Sequence, residues 1–392
     1  MILCRLFREN PQTQLYDDST HYGDYVCNLH KPRENDMGSK ITKYLTSISL
    51  TFALFGNLYA DDEPQPPADQ TTQEVKIKTD RKGDFVANIL WQNTYATTSG
   101  MNASRISLES LCDTSVYFDL EGGALGLCLN QHNMEEKSGF HMDGSGYYAG
   151  ISCGSPSLYK IGVKFVSQHT NAKAHLGHDE VATDYLSLGG FWEVHGFKGR
   201  LIVVGNYLYT HGFHNLNHTH RQLIGACHAS FESQTVGSAL SFYFPLKART
   251  NNRLTVIPFF RYQAFASKQN DFKEKGARVR SFVTPDSLVD ISVPFGLHNK
   301  LAFHGYFPSL WELEVSYKPT LLRQKHLVGS VLVADDGTWI SSPTEVCYHA
   351  FSINLKNETQ VFKHLHINFD YQCDASSSTC SHYILAGGKL VF

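Results

Sequence analysis

The feature that most constrains this chain is a two-residue alternation of apolar and polar side chains, sustained over ten residues and more. In Leu310–Pro319, Trp311, Leu313, Val315 and Tyr317 fall on one face, and Glu312, Glu314, Ser316 and Lys318 on the other. In Phe362–Gln372, Leu365, Ile367, Phe369 and Tyr371 alternate with His364, His366, Asn368, Asp370 and Gln372. Asp184–Val194 sets Leu186, Leu188, Gly190, Trp192 and Val194 against Tyr185, Ser187, Gly189, Phe191 and Glu193. Leu288–Phe295 and Tyr159–Val166 repeat the pattern. Successive side chains of a strand point to opposite faces, so each segment is a strand with one apolar and one polar surface. Strands of soluble sandwiches average about 5–6 residues, whereas a strand that crosses a bilayer takes about 9–11 tilted residues. Length and alternation together predict an all-β fold, a transmembrane antiparallel β-barrel. Its apolar faces meet lipid and its polar faces line a wet lumen. About twelve segments fit between residues 115 and 392, roughly 23 residues per strand with its connection.

Composition agrees. Of 392 residues, 42% are hydrophobic, 12% aromatic and only 18% charged, with a formal net charge of −3. Such a chain is too aromatic and too weakly charged for disorder. Its slightly acidic balance speaks against nucleic acid as a partner. Trp192, Trp311, Tyr317, Phe369 and Tyr371 stand near strand ends, where an aromatic girdle prefers the headgroup level. No segment beyond residue 60 has 18 consecutive apolar residues, the length of a helical span.

The N-terminal region reads as targeting. Tyr44–Tyr59 is an apolar core preceded by Lys40 and Lys43, and Leu58-Tyr59-Ala60 places a small residue at its end. Met37–Ala60 is therefore read as a Sec-type signal peptide cleaved after Ala60. Residues 1–36 are read as an extension ahead of the true start, residues 61–100 as a short linker or residual passenger, and residues 101–392 as the barrel. Within the linker, Phe85–Tyr95 is a patch that suits a helix entering the lumen. Export without a helical anchor, followed by long alternating strands, predicts the bacterial outer membrane. In the last strand Ile384, Ala386, Gly388, Leu390 and Phe392 share a face. The terminal Phe392 is the assembly signal that outer-membrane barrel machinery would read. That machinery and outer-membrane lipid are the expected partners.

Several segments resemble the autotransporter domain of the chlamydial polymorphic membrane proteins. The match is closest at Asp271–Gly276 (DFKEKG) and Leu288–Leu297 (LVDISVPFGL). Asn88–Trp91 (NILW), Gly146–Gly150 (GYYAG), Trp311–Pro319 (WELEVSYKP) and Gly387–Phe392 (GGKLVF) follow in the family's order and spacing. The resemblance spans about residues 85–392 and implies a type V secretion translocator of roughly twelve strands, threaded by the chain ahead of the first strand. Relatives carry an N-terminal β-helical passenger rich in GGA-[ILV] and FxxN repeats. Here GGAL occurs once, at Gly122–Leu125, and FxxN, as at Phe85–Asn88, is scattered and never in tandem. A solenoid needs at least ~3 repeats, so the passenger is expected to be largely absent. The stretch Ser341–Ala350 also lacks the arginine that relatives carry after Trp339. The alternative function is a stand-alone outer-membrane channel, or an envelope structural barrel linked through disulfides.

Seven of the nine cysteines follow Ala60: Cys112, Cys128, Cys153, Cys227, Cys347, Cys373 and Cys380. Cys373 and Cys380 bracket what reads as the last hairpin and are the candidate disulfide. An odd remainder leaves at least one thiol free or intermolecular, and the resemblance implies disulfide-linked envelope proteins as partners. His211, His214, His218 and His220 cluster within THGFHNLNHTH and are read as a polar loop between strands. Asp370 with His364 and His366 is the nearest approach to a catalytic grouping, and HExxH does not occur. The expectation is no enzyme, no catalytic residues, no metal site and no cofactor.

Overall fold

The computed structural model describes residues 77–79, 85–103, 116–133, 137–155, 158–219, 226–246, 254–276, 279–324, 326–332 and 338–392. The signal-peptide reading and Ala60 lie outside the described residues, as does Cys112. Strand β1 (Ile77–Thr79) precedes helix α1 (Ile89–Asn102), which a 3-10 turn at Phe85–Asn88 introduces. Seven long strands follow: β2 (Tyr117–Gln131), β3 (Phe140–Ser155), β4 (Tyr159–Ala174), β5 (Glu180–Gly196), β6 (Leu201–Thr219), β7 (Ala226–Tyr243) and β8 (Leu254–Gln269). Then come the short β9 (Phe272–Lys273), β10 (Lys275–Gly276) and β11 (Arg280–Val283), followed by β12 (Leu288–Ser292), β13 (Phe295–Phe303) and β14 (Ser309–Gln324). The chain ends with β15 (Val328–Leu332), β16 (Thr338–Ser341), β17 (His349–Phe362), β18 (Leu365–Ala375) and β19 (Thr379–Val391).

These elements close into a barrel. Each long strand pairs antiparallel with its successor, and β19 pairs back onto β2 from Thr379↔Gln131 to Val391↔Asp119. Phe118 and Phe392 complete the seam by exchanging backbone hydrogen bonds of 3.1 and 2.8 Å. Closure leaves the long strands without a free edge among the described residues, which is what permits a sheet to sit in hydrocarbon. Leu288–Phe295, which reads as one strand, is broken at Val293 and Pro294. Both β12 and β13 bond to β8 and β14, so together they form one stave of twelve.

The alternation resolves into an outside and an inside. Trp311, Leu313 and Val315 are exposed on the outer wall while Glu312, Glu314 and Ser316 are buried in the lumen. Ile161, Val163 and Phe165 face out against Lys160 and Lys164, and Leu186 and Leu188 against Tyr185 and Ser187. A soluble chain does not show so many contiguous apolar side chains to water; here they form a lipid belt. The lumen wall neutralises its own charges: Lys160 pairs with Asp119 at 3.0 Å, Arg261 with Glu314 at 3.2 Å, and Lys389 with Glu358 at 2.5 Å.

The two ends of the barrel differ. At one end the connections are short turns, as between β5 and β6 or β17 and β18, and here β2 begins and Phe392 ends the chain. The other end carries the long connections after β8 and β14. Those connections fold into a second sheet in the order β1-β16-β15-β11-β9, in which β1 lies parallel to β16. Segment 211–219, expected as a polar loop, is instead the end of strand β6. Its two-residue period separates the cluster: His214 is buried in the lumen while His211 faces out beside Glu232.

Candidate functional site

The site is the lumen, and α1 fills it. The helix expected at Phe85–Tyr95 forms from Ile89 and runs on to Asn102 through a Thr/Ser/Gly stretch. Twelve of its fourteen residues are buried, including Gln92, Asn93, Thr94, Thr97 and Ser99. A helix buried on every side, yet largely polar, needs partners on every side. Thr94 and Thr98 satisfy themselves by donating to the carbonyls of Leu90 and Thr94. The barrel and its loops supply partners for Asn88, Asn93 and several helix carbonyls, while Gln92, Thr97 Oγ1 and Trp91 Nε1 have no hydrogen-bond partner among the described residues.

At the long-loop end, Asn88 Nδ2 donates to Ser138 O at 3.1 Å, and Thr344 N donates to Asn88 Oδ1 at 2.9 Å. His326 Nε2 donates to Ala87 O at 2.6 Å. Burial lowers the His326 pKa to about 4, so the imidazole is neutral there. The Arg323 guanidinium sits 4.8 Å over the Trp91 ring and 2.7 Å from Asp290. Phe85, Trp91, Phe272, Phe282 and Val328 join Leu129 and Phe140 of the wall in one apolar cluster. The loop sheet, the start of the helix and the barrel mouth therefore share a core.

At mid-lumen, Asn93 Nδ2 donates to Ser233 Oγ and Tyr185 Oη donates to Asn93 Oδ1, both at 2.9 Å. Gln168 Nε2 donates to Ala96 O at 3.0 Å. At the far end, Lys164 Nζ donates to Gly100 O and Met101 O, both at 3.0 Å, and Asn206 Nδ2 also reaches Met101 O. The last carbonyls of a helix lack internal partners and carry its negative dipole end. A buried lysine answers both needs. Small residues allow the fit: a Cβ on Gly237 would stand 2.6 Å from Met101 Sδ, and one on Gly100 2.8 Å from Leu208 Cδ2. A cavity beside Trp91 and Tyr95 measures about 60 Å³, room for waters but not for a channel.

The expected site residues fall as follows. Cys373 and Cys380 stand on adjoining strands as free thiols. Cys373 lies opposite His382, and Cys380 opposite Ala375, so the two cysteines are diagonal neighbours. Phe392 ends the closing strand, its ring 6.5 Å from that of Phe118. His366 bonds Glu358 at 2.9 Å, Asp370 accepts from Asn354 at 2.7 Å, and His364 turns to Val391 O; the three do not converge. The residues that grip the helix, Lys164, Gln168, Tyr185 and Asn206, carried only one sequence signal, their place on polar strand faces.

Comparison with known proteins agrees with this geometry. The sequence matches the family described as "Autotransporter beta-domain" over residues 125–372. It is 29% identical over 304 residues to "Probable outer membrane protein PmpE" of Chlamydia trachomatis, covering 77% of this chain and 31% of that protein. To "Probable outer membrane protein pmp15" of Chlamydia pneumoniae it is 31% identical over 320 residues, covering 80% and 33%. The chain thus spans about a third of the length of these relatives. Among solved structures, the translocator domain of autotransporter NalP from Neisseria meningitidis has the same fold. It aligns with a TM-score of 0.56 at 12% identity, covering 78% of this chain and 96% of that one.

Proposed function

The chain belongs to the autotransporter beta-domain family, and from that premise we propose that its outer-membrane barrel passes the residues ahead of α1 through its own lumen and then stays plugged by that helix. The single observation that carries this reading is the course of α1. It starts at the long-loop end and runs down the lumen, while β2 begins and β19 ends at the short-turn end. Outer-membrane barrels keep short turns on the periplasmic side and long loops outside. On that orientation Ile77–Thr79 lies on the outer side, bonded to β16 in the loop sheet. A chain that had not crossed could not be there.

The filled lumen favours a translocator over a stand-alone open channel. The role is non-enzymatic on this reading, because His366, Glu358 and Lys389 are spent on mutual charge balance in the wall. The partners are lipid on the outer belt and barrel-assembly machinery that engages the Phe392 strand.

The test is topological. One epitope is placed ahead of Ile77, a second in the β4–β5 turn at Gly177, and a third in the β13–β14 turn at Gly305. The first two should be detected on intact cells and the third only after permeabilisation. An epitope ahead of Ile77 that stays inside, with Gly177 outside, would overturn translocation while leaving the barrel standing.

A further inference from the structure

Six donor side chains form a band on the outer wall at the long-loop end of the barrel seam. Cys373 on β18 lies opposite His382 on β19, and His382 lies opposite Cys128 on β2. Cys128 in turn lies opposite Asp143 on β3. The Sγ atoms of Cys373 and Cys380 and a ring nitrogen of His382 all lie within 4.8 Å of one another. So do the donor atoms of Cys128, His141 and Asp143. All six are at least partly accessible.

The band lies above the lipid belt. On β19 the outward residues below it are Ile384, Leu390 and Phe392, and on β2 they are Leu120 and Phe118, all exposed and apolar. Level with it the outer face turns polar, with His169–Asp184 at 2.8 Å and Lys173–Glu180 at 3.3 Å on β4 and β5. An aqueous ion can therefore reach these thiols.

His382 is oriented as a ligand. Nε2 lies 3.4 Å from Cys380 Sγ, and Nδ1 is 2.8 Å from Tyr371 Oη. With Nδ1–H donating to the phenol, Nε2 keeps its lone pair toward the thiols. Metal-binding histidines are held in this way by an acceptor on the other ring nitrogen.

We propose that Cys373, Cys380 and His382, with Cys128 from across the seam, bind one Zn²⁺ and so staple the first barrel strand to the last two. Three thiolates and one imidazole are a tetrahedral zinc set, with Zn–S bonds of about 2.3 Å. Binding exchanges three S–H protons, released to solvent, for three metal–sulfur bonds, with no redox change. Cys128 is the ligand that must move to join, since its Sγ lies outside the 4.8 Å cluster of the other three donors.

The experiment uses the full chain, reduced and refolded in detergent, and titrated with Co²⁺ as a spectroscopic probe and then with Zn²⁺. The expected result is one equivalent of tetrahedral Co²⁺ with thiolate charge-transfer absorption, displaced by Zn²⁺. Zn²⁺ should also raise the temperature at which the folded barrel loses its fast electrophoretic migration. The double variant C373S/C380S should abolish the charge-transfer band, and H382Q should weaken binding tenfold or more. C153S, an exposed thiol at the opposite end of β3, should change nothing. Y371F should keep the spectrum but weaken affinity about tenfold. C128S should lower the thiolate absorption by about a third and remove the thermal gain. An unchanged spectrum and thermal gain in C128S overturn the staple. Absence of charge-transfer absorption in the folded wild type, or its persistence in C373S/C380S, overturns the site. A Cys373–Cys380 disulfide in protein taken directly from the outer membrane also overturns it.

Discussion

Replacing Lys164 by Met should unlock the plug. The substitution keeps the aliphatic stem, which is buried in the wall with 1% of its surface exposed, and deletes the ammonium. Lost with it are two charge-assisted hydrogen bonds to Gly100 O and Met101 O, each 3.0 Å. Hydrogen bonds to charged groups contribute about 1.5–3 kcal/mol net of desolvation. The two share one donor group, and Asn206 still serves Met101 O, so their sum is not twice that figure. A loss of about 2–3 kcal/mol follows, which includes the cation's interaction with the helix C-terminus. At about 1.4 kcal/mol per tenfold, the helix-out state should rise roughly 30- to 150-fold. Planar-bilayer recording reads this directly as the fraction of time a reconstituted barrel conducts. Gln168→Leu, which removes one neutral bond to Ala96 O, should open the plug about fivefold, for a loss of about 1 kcal/mol. A K164M barrel that folds, shifts on heating like the wild type and yet conducts no more often would show that Lys164 does not hold the helix in place. So would Q168L exceeding K164M.

Three further outcomes are expected. G237V should force a side chain into Met101 and Phe265; overpacking costs typically about 1–3 kcal/mol, so this variant should also show more frequent conductance at unchanged barrel yield. Acidification should loosen the helix start: His326 titrates at about 4 when docked and near 6.5 when released. Its contribution is complete above pH 6.5 and is lost progressively toward pH 4, by about 3 kcal/mol in all; amide exchange of Ile89–Tyr95 at pH 7 and pH 5 should show the change, and H326N should flatten it. Deleting Phe392 removes two backbone hydrogen bonds at the seam, and a smaller heat-modifiable fraction in outer membranes should result.

Much of the wall was legible because strand alternation is local. Trp311, Leu313 and Val315 could only share a face, and the number and length of such runs left a lipid-facing barrel as the economical solution. The helical character of Phe85–Tyr95 was equally local. Its extension to Asn102 was not, since Ser99, Gly100 and Asn102 favour a helix here only because the wall offers Lys164, Gln168 and Leu208 at the right depth. Register lies beyond local reading as well. Moving one residue along a strand exchanges inside for outside, which is why His211 and His214 part company and why a polar-looking segment became the end of β6. Pro294 breaks one apparent strand because it has no N–H to give the ladder, and neighbouring staves repair the gap. Cys373 and Cys380 show the same division. Their place near the last hairpin follows from local pattern alone. Their diagonal placement, with His382 and Cys128 beside them, depends on the fold, because closing the barrel brings together strands separated by most of the chain.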